Sequence, residues 1–407
     1  MKRIGIDFSV KKSAGGAYQY CLAFLDALKD NLGENSYVIF DYSPDLPKED
    51  YQDSFRIVTV KQHNSEKKEG FRLVPWIKEI IYRILLFFRL FFVIDIIFKY
   101  IYRRNLILIK ENDIDIMLFP SGAQYAPYLK IPYITTIYDL EHRKHPEFPE
   151  VSKKGRWLSR EYYYQNICKT ASFILVDSEV GKQDVLNFYK INDGKVIVLP
   201  YLPPNYLQTD LSLEQTKEIL EDFKLPKKFI FYPAQFWPHK NHLNLVKAIK
   251  ILRTKDFFIN LVLSGAKKEE WGEFKKVQEY IRENKLEDAV FYLGYIDNEQ
   301  ISALYKSAVA MVMPTFFGPT NIPVLEAWKM GCPVLYSDII GCREQLGGAG
   351  LLIDPFDPYN IAEKIGLIWQ ADDNFRKDLI IKGEIRLSSW GYKDFSLKIG
   401  EIIKKVI

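Results

Sequence analysis

The sequence is poor in the residues that build metal centres and disulfide frameworks. It has only five histidines and four cysteines in 407 residues. Cys21, Cys168, Cys332 and Cys342 are scattered, with no CxxC pair, so neither a zinc site nor a disulfide scaffold is indicated and a reducing compartment fits. No apolar run approaches the roughly 20 residues needed to span a bilayer. The first residues, Met1-Lys-Arg-Ile-Gly-Ile-Asp, lack the apolar core of a secretory signal and read as a strand, so a cytoplasmic location is expected. Net charge is only +4, which gives no footprint for nucleic acid. No internal repeat occurs.

What is present describes a globular α/β protein: 48% hydrophobic, 27% charged and 15% aromatic residues. The length calls for two domains. Short apolar, β-branched runs alternate with helical stretches. Candidate strands are Ile4–Asp7, Tyr37–Phe40, Ile57–Val60, Ile116–Phe119, Ile134–Tyr138 and Ile174–Val176, then Phe229–Tyr232, Leu261–Ser264, Val290–Leu293, Met311–Met313 and Val334–Tyr336. Continuous apolar strands separated by helices predict parallel sheets covered on both faces. The proline-dense stretch Leu199–Pro204 reads as a linker. The expected domains are therefore 1–205 and 206–385, with a final helix in 386–407 packing back on the first.

Residues 77–104 stand apart. They are very apolar and aromatic, but charges recur every few positions, six basic against two acidic. On one continuous helix at about 100° per residue, Ile80, Ile84, Phe87, Phe91, Ile94 and Phe98 share a charge-free face. Such a helix suits an anionic membrane interface on the inner face of the cell membrane. The alternative is a core helix, or a helix pair, of the first domain.

In doubly wound sheets, ligands bind beyond the carboxyl ends of strands. Four loops there carry chemistry. Ser13-Ala-Gly-Gly-Ala-Tyr18 leads into a helix, and its paired glycines, Gly15 and Gly16, let backbone amides approach an anion. Phe231–His242 carries Lys240, positioned to neutralise a diphosphate. Met313–Ala327 holds Asn321 where a helix cap is needed, with Pro323 in the first turn. The amides near Thr320, Asn321 and Ile322 make a candidate phosphate site, and Glu326, one turn in, is a candidate acceptor for two ribose hydroxyls. Ile137–Phe148 is dense in polar groups, among them Asp139 and His142.

From Lys227 to Asp354 the chain resembles the C-terminal domain of family 4 glycosyltransferases. The similarity lies in YPAQFWPHKNHLNLVKAI, LVLSGA, FYLGYIDNEQISALYKSAVAMVMPT, GPTNIPVLEAWKMGCPVLYSD and GGAGLLIDP, in that order. SAGGAYQY, ITTIYDLEHRKHPEF and FILVDSEVGKQDV resemble the family's first domain more faintly. The resemblance implies a GT-B fold, two Rossmann-like domains with parallel sheets facing a central cleft. It implies a nucleotide-sugar donor held mainly by the second domain, retention at the anomeric carbon, and no metal or other cofactor. By position, Lys240 resembles the diphosphate lysine, Glu326 the second glutamate of an E-x7-E motif, and Gly15 and Gly16 the glycine loop. Three positions depart from the family: Gly318 stands for the first glutamate, Gln235 for the upstream arginine and Tyr138 for the histidine before Asp139. A subset of the family has GPTN where others have EGFG. His142 is a candidate to supply a side chain to the cleft instead.

Asp113-Ile-Asp115 matches the DxD metal motif of the other major glycosyltransferase fold, but it opens an ordinary strand here. A glycan acceptor is implied, and the basic, aromatic insert suggests a lipid-linked one, as in surface-polysaccharide or lipopolysaccharide assembly. The competing readings are a non-catalytic nucleotide-sugar-binding protein, and an epimerase or phosphorylase of the same fold.

Overall fold

The computed structural model describes residues 2–33, 35–60 and 75–406, the side chains of 75–79 excepted. The chain divides into two units: 1–146 with 151–200 and 392–407, and 147–150 with 201–391.

The first unit is built on seven parallel strands: β1 (Arg3–Phe8), β2 (Ser36–Asp41), β3 (Arg56–Thr59), β4 (Ile116–Phe119), β5 (Tyr133–Thr136), β6 (Phe173–Val176) and β7 (Val196–Val198). Their order is β3-β2-β1-β4-β5-β6-β7. Ile4, Ile6, Met117 and Leu118 are wholly buried, as strands covered on both faces require. Helix α1 (Gly16–Lys29) lies against the C-terminal helix Tyr392–Lys404, where Asn31 Nδ2 donates to Ser396 Oγ at 2.7 Å and Tyr20 meets Phe395 edge to face.

The second unit has β8 (Ile230–Pro233), β9 (Leu261–Ser264), β10 (Val290–Tyr292), β11 (Met311–Met313), β12 (Val334–Ser337) and β13 (Leu351–Ile353), all parallel, in the order β10-β9-β8-β11-β12-β13. Both sheets are Rossmann-like. In each, the chain reverses direction across the sheet beside its first strand, at β1/β4 and at β8/β11, which is where such sheets open a crevice for ligands. The short strands β7 and β13 were not among the candidate strands.

The insert is not one helix. Helix α2 (Pro75–Phe87) stops and α3 (Phe91–Ile101) begins after three residues, followed by α4 (Arg103–Glu111). The stop is a Schellman motif: the Leu90 amide donates to the Leu85 carbonyl and the Arg89 amide to the Leu86 carbonyl. Arg89 takes the left-handed position, φ 54°, that glycine normally fills. The expected charge-free face is split by this turn. Ile94 is buried, and Phe91 and Phe98 pack on Tyr162 and Tyr82, in a cluster with Leu86 and Leu158. Ile80, Ile84 and Phe87 stay exposed, joined by Phe88, Leu90, Phe92, Ile96 and Tyr100. Ile77, the first residue of the expected insert, lies outside the described side chains. Among the described residues no helix is long and apolar enough to cross a membrane.

Candidate active site

The crevice of the second unit brings together the loops after β8 and β11. The Phe316 amide donates to the His239 carbonyl at 2.8 Å, and Thr315 Oγ1 donates to the same oxygen. Lys240 is thereby set against Asn321, its Nζ donating to Asn321 Oδ1 at 2.8 Å. Burial pushes the Lys240 pKa down to about 8, offset only in part by the negative charge of Glu150. The hydrogen-bond partner is neutral, so among the described residues the desolvated ammonium has no carboxylate bonded to it.

Helix α8 (Ile322–Lys329) starts beside that ammonium. Asn321 occupies the cap position, but its side chain does not cap the helix. It turns instead to Lys240 and, through Nδ2, to the Tyr336 hydroxyl at 2.6 Å. The expected row of available amides is shorter than the sequence suggested. The Asn321 amide donates to Gln345 Oε1 at 2.8 Å, Pro323 has no N–H, and the Val324 amide turns back to the Asn321 carbonyl. Ile322 is the remaining amide of that turn. Gly318 adopts φ 118°, a conformation that disfavours any side chain, so the loop in its present form is built for glycine at this position. Thr320 lies between Gly318 and Asn321, partly exposed.

Gln235 also sits in the β8 loop, its Oε1 accepting from Trp237 Nε1 at 3.0 Å. His239 stacks on Phe317, and both its ring Nδ1 and its amide meet Glu150 Oε1, at 2.7 and 2.9 Å. The Glu150 contact joins positions 89 residues apart and has no local sequence signal.

Glu326 is almost wholly buried. Oε2 accepts from the Tyr305 hydroxyl at 2.7 Å and Oε1 from the Tyr206 hydroxyl. Burial raises its pKa, and the two phenols work against that rise. Neither tyrosine was foreseen as a partner.

In the first unit, Gly15 holds φ 61° at the start of α1, and Gly16 is the first helical residue. Asp139 follows β5. Burial raises its pKa, but the Arg160 guanidinium and the Glu141 amide outweigh that and hold it below the ordinary range. Its carboxylate is thus already neutralised within its own unit. His142, expected to offer a side chain to a cleft, is fully buried. Its Nε2 lies 3.3 Å from Glu161 Oε2, and its ring is packed between Trp157 and Tyr164. Burial lowers its pKa, so the neutral ring is favoured. Glu161 also receives Arg143, Gln165 and Tyr189, which makes this a structural network. Tyr138 donates to the Pro120 carbonyl at 2.9 Å and so ties the loops after β4 and β5 together.

A buried carboxylate that sequence reading missed lies at the first unit's crevice. Asp7, near the end of β1, accepts from the Tyr125 hydroxyl at 2.6 Å. Burial pushes its pKa up to about 6. A charged residue inside an apolar strand was the available signal.

Asp113 and Asp115 lie at the amino end of β4, opposite the ligand edge of the sheet. Asp115 accepts from the Arg3 amide at 2.8 Å and pairs with Lys2, while Asp113 pairs with Arg3. Among the described residues no group of three or more His, Cys, Asp or Glu is arranged to hold a metal ion.

Residues 215–386 match the family model described as Glycosyl transferases group 1. That segment spans most of the second unit. The chain is similar to O-antigen chain mannosyltransferase B of Escherichia coli, with 25% identity over 271 residues, 65% of this chain and 69% of that protein. In fold it is similar to sucrose-phosphate synthase from Thermosynechococcus elongatus, with a TM-score of 0.74 and 18% identity over 100% of this chain and 99% of that one. It is likewise similar to HepE from Anabaena, solved in complex with UDP, with a TM-score of 0.70 and 15% identity over all of both chains. The architecture is that of the GT-B glycosyltransferases.

Proposed function

We propose that the chain is a glycosyltransferase that moves a sugar from a nucleoside-diphosphate sugar to a glycan acceptor in surface-polysaccharide or lipopolysaccharide assembly. The observation that carries this reading is the Lys240 ammonium, desolvated at the β8/β11 crevice beside the start of α8, with a neutral amide as its hydrogen-bond partner. Such a group is stabilised by an incoming anion, and a departing diphosphate is the anion this chemistry produces. The match to the glycosyltransferase model over the same segment, and the O-antigen mannosyltransferase relative, support the same conclusion.

On this reading the bond between the anomeric carbon and the phosphate oxygen breaks while the acceptor oxygen bonds that carbon from the same face. Configuration is retained, and the acceptor hydroxyl proton passes to the departing phosphate. No side chain is required as a base, in keeping with the buried His142 and the neutralised Asp139. Charge on the leaving group is met by Lys240 and the start of α8, without a metal ion. Glu326 accepts the ribose hydroxyls.

The acceptor in this proposal is lipid-linked, and the protein attaches peripherally to the cytoplasmic face of the membrane through α2 and α3. Large apolar side chains crowd the outer side of this helix pair: Phe87, Phe88 and Phe92 are each more than 60% exposed. Arg89, Lys99, Arg103 and Arg104 are exposed on the same segment, and one of its two acids, Asp95, is taken up by Tyr128 and Tyr162. An exposed apolar patch with basic residues beside it matches an anionic bilayer.

Purified protein offered a panel of nucleotide sugars, with melting temperature and sugar release read together, tests the central claim. Stabilisation by one donor and acceptor-dependent transfer are expected. Stabilisation without turnover would mean a binding protein, and acceptor-independent conversion of the sugar an epimerase.

A further inference from the structure

Glu326 is held by two phenols that are not equivalent. Tyr305, on helix α7 (Asn298–Ser307), is fully buried in the core of the second unit. Tyr206 is only partly buried and lies on the outer side, in the segment 201–212. That segment is strapped along α7 and α8. Lys329 Nζ donates to the Pro204 carbonyl at 3.0 Å, the Gln208 amide to Ser302 Oγ at 3.0 Å, and Lys306 Nζ to the Leu211 carbonyl at 2.6 Å. Leu207 is sunk into the core. The backbone around Tyr206 is thus fixed, and its side chain lies between Glu326 and solvent.

A buried carboxylate cannot be left without donors: an unsatisfied charged group costs at least about 1–3 kcal/mol. Tyr206 and Tyr305 together meet that need, one phenol on each oxygen. Glu326 lies five residues beyond Asn321, roughly 7.5 Å along the helix axis at 1.5 Å per residue. That is the scale of separation between the phosphates and the ribose hydroxyls of one nucleotide. A nucleoside diphosphate with its phosphates at Lys240 is therefore long enough for its 2′,3′-diol to reach the Glu326 carboxylate that Tyr206 covers.

We propose that the Tyr206 hydroxyl is a built-in stand-in for a ribose hydroxyl, displaced from Glu326 when a ribonucleoside diphosphate binds, and that this exchange makes the site selective for ligands carrying the diol. The inference rests on the reading of Lys240 and Glu326 given under Proposed function. A ligand with the diol replaces one donor by others, so the carboxylate stays satisfied. A ligand without it leaves Tyr206 in place or strands the carboxylate, and a site built for hydroxyls rejects such analogues strongly.

The test measures the affinities of wild type and Tyr206→Phe for three ligands. They are the one of UDP, GDP, ADP and CDP that raises the melting temperature most, its 2′,3′-dideoxy analogue, and inorganic pyrophosphate. Wild type should prefer the ribonucleotide to the dideoxy form. Tyr206→Phe removes the competing hydroxyl and should tighten the ribonucleotide roughly 5- to 10-fold, leaving the other two ligands within about twofold. Tyr206→Leu, which also lacks the hydroxyl, should repeat the selective gain and serves if the Phe variant melts. Unchanged or weaker ribonucleotide binding in the folded variant, while wild type still discriminates against the dideoxy form, overturns the proposal for Tyr206 and leaves Glu326 as a ribose ligand. No discrimination in wild type overturns both.

Discussion

The two Rossmann-like units share a strand order but place opposite charges at equivalent crevices. At β1/β4 the buried group is the Asp7 carboxylate, covered by Tyr125 and pushed toward its protonated form. At β8/β11 it is the Lys240 ammonium, pushed toward its neutral form. Burial disfavours charge in both cases, yet only one responds favourably to an incoming diphosphate. A diphosphate near Asp7 would raise that pKa further, whereas a diphosphate near Lys240 would restore the lysine's charge. The fold therefore supplies two crevices, and side-chain chemistry suits only the second to the donor anion.

The sharpest way to break this contrast is to remove the cation. Lys240→Met should lower pyrophosphate and nucleotide affinity by roughly 100-fold or more, the scale of a lost charge-assisted contact in a desolvated site. The same variant should melt at a higher temperature than wild type when no ligand is present. A lysine with a depressed pKa destabilises the fold at all pH values below about 8, and that cost fades as pH rises from there toward 10.5. Calorimetry and a melting curve on one sample decide the matter. A variant that loses binding and also loses stability would mean that Lys240 is a structural residue.

A second contrast lies within the insert, between the face of α2 and α3 that packs and the face that does not. Phe88→Ser with Phe92→Ser should release the protein from anionic vesicles by roughly 10- to 100-fold, at high salt as well as low, with little change in melting temperature. Each phenyl ring contributes about 1.5–3 kcal/mol when buried. Phe91→Ser should instead lower the melting temperature, because Phe91 packs on Tyr162. Co-sedimentation that is indifferent to Phe88 and Phe92 would remove the membrane from the proposal.

That contrast also shows where sequence reading stops. The long apolar strands could be read because each is an unbroken buried run. β7 and β13, three-residue strands at the ends of their sheets and only partly buried, escaped notice. The turn between α2 and α3 left no glycine or proline as a mark, since Arg89 takes the left-handed position, and apolar periodicity continued across it. Lys240 and Asn321 could be placed on the loops that follow β8 and β11, and Glu326 about one turn into the helix that Asn321 precedes. Their partners could not: Tyr206 reaches Glu326 across 120 residues of sequence, and the burial of His142 depends on Glu161 of a different helix. Such contacts are tertiary and leave no local trace.

Acid–base behaviour gives a smaller effect, confined to the first unit. Glu141 is buried beside Asp139, and burial first, then that neighbouring charge, raise its pKa to about 7. A carboxylate with a raised pKa makes the folded state lose stability as pH climbs from about 4.5 to 7, and the loss is constant above that. Glu141→Gln should therefore stabilise the protein by up to about 2–3 kcal/mol at pH 7.5 and by little at pH 4.5. Denaturant unfolding at the two pH values measures the difference. An equal effect at both would show that the carboxylate remains ionised in the fold.

The smallest expected effect is none. If charge on the leaving diphosphate is met by Lys240 and the start of α8, transfer should proceed at an unchanged rate in excess EDTA. The acidic motif at 113–115 should be indifferent to catalysis for a geometric reason. It lies at the amino end of β4, the edge of the sheet away from the ligand crevice, and Asp115 is engaged there by the Arg3 amide, which lowers its pKa. Asp115→Asn should then cost a little stability by loosening the start of β1, while kcat and the donor KM stay at wild-type values. Activity that vanishes in EDTA and returns with manganese or magnesium would contradict the metal-free reading. Combined with a turnover defect in Asp115→Asn, it would move the search for the leaving-group cation from the second unit to the first.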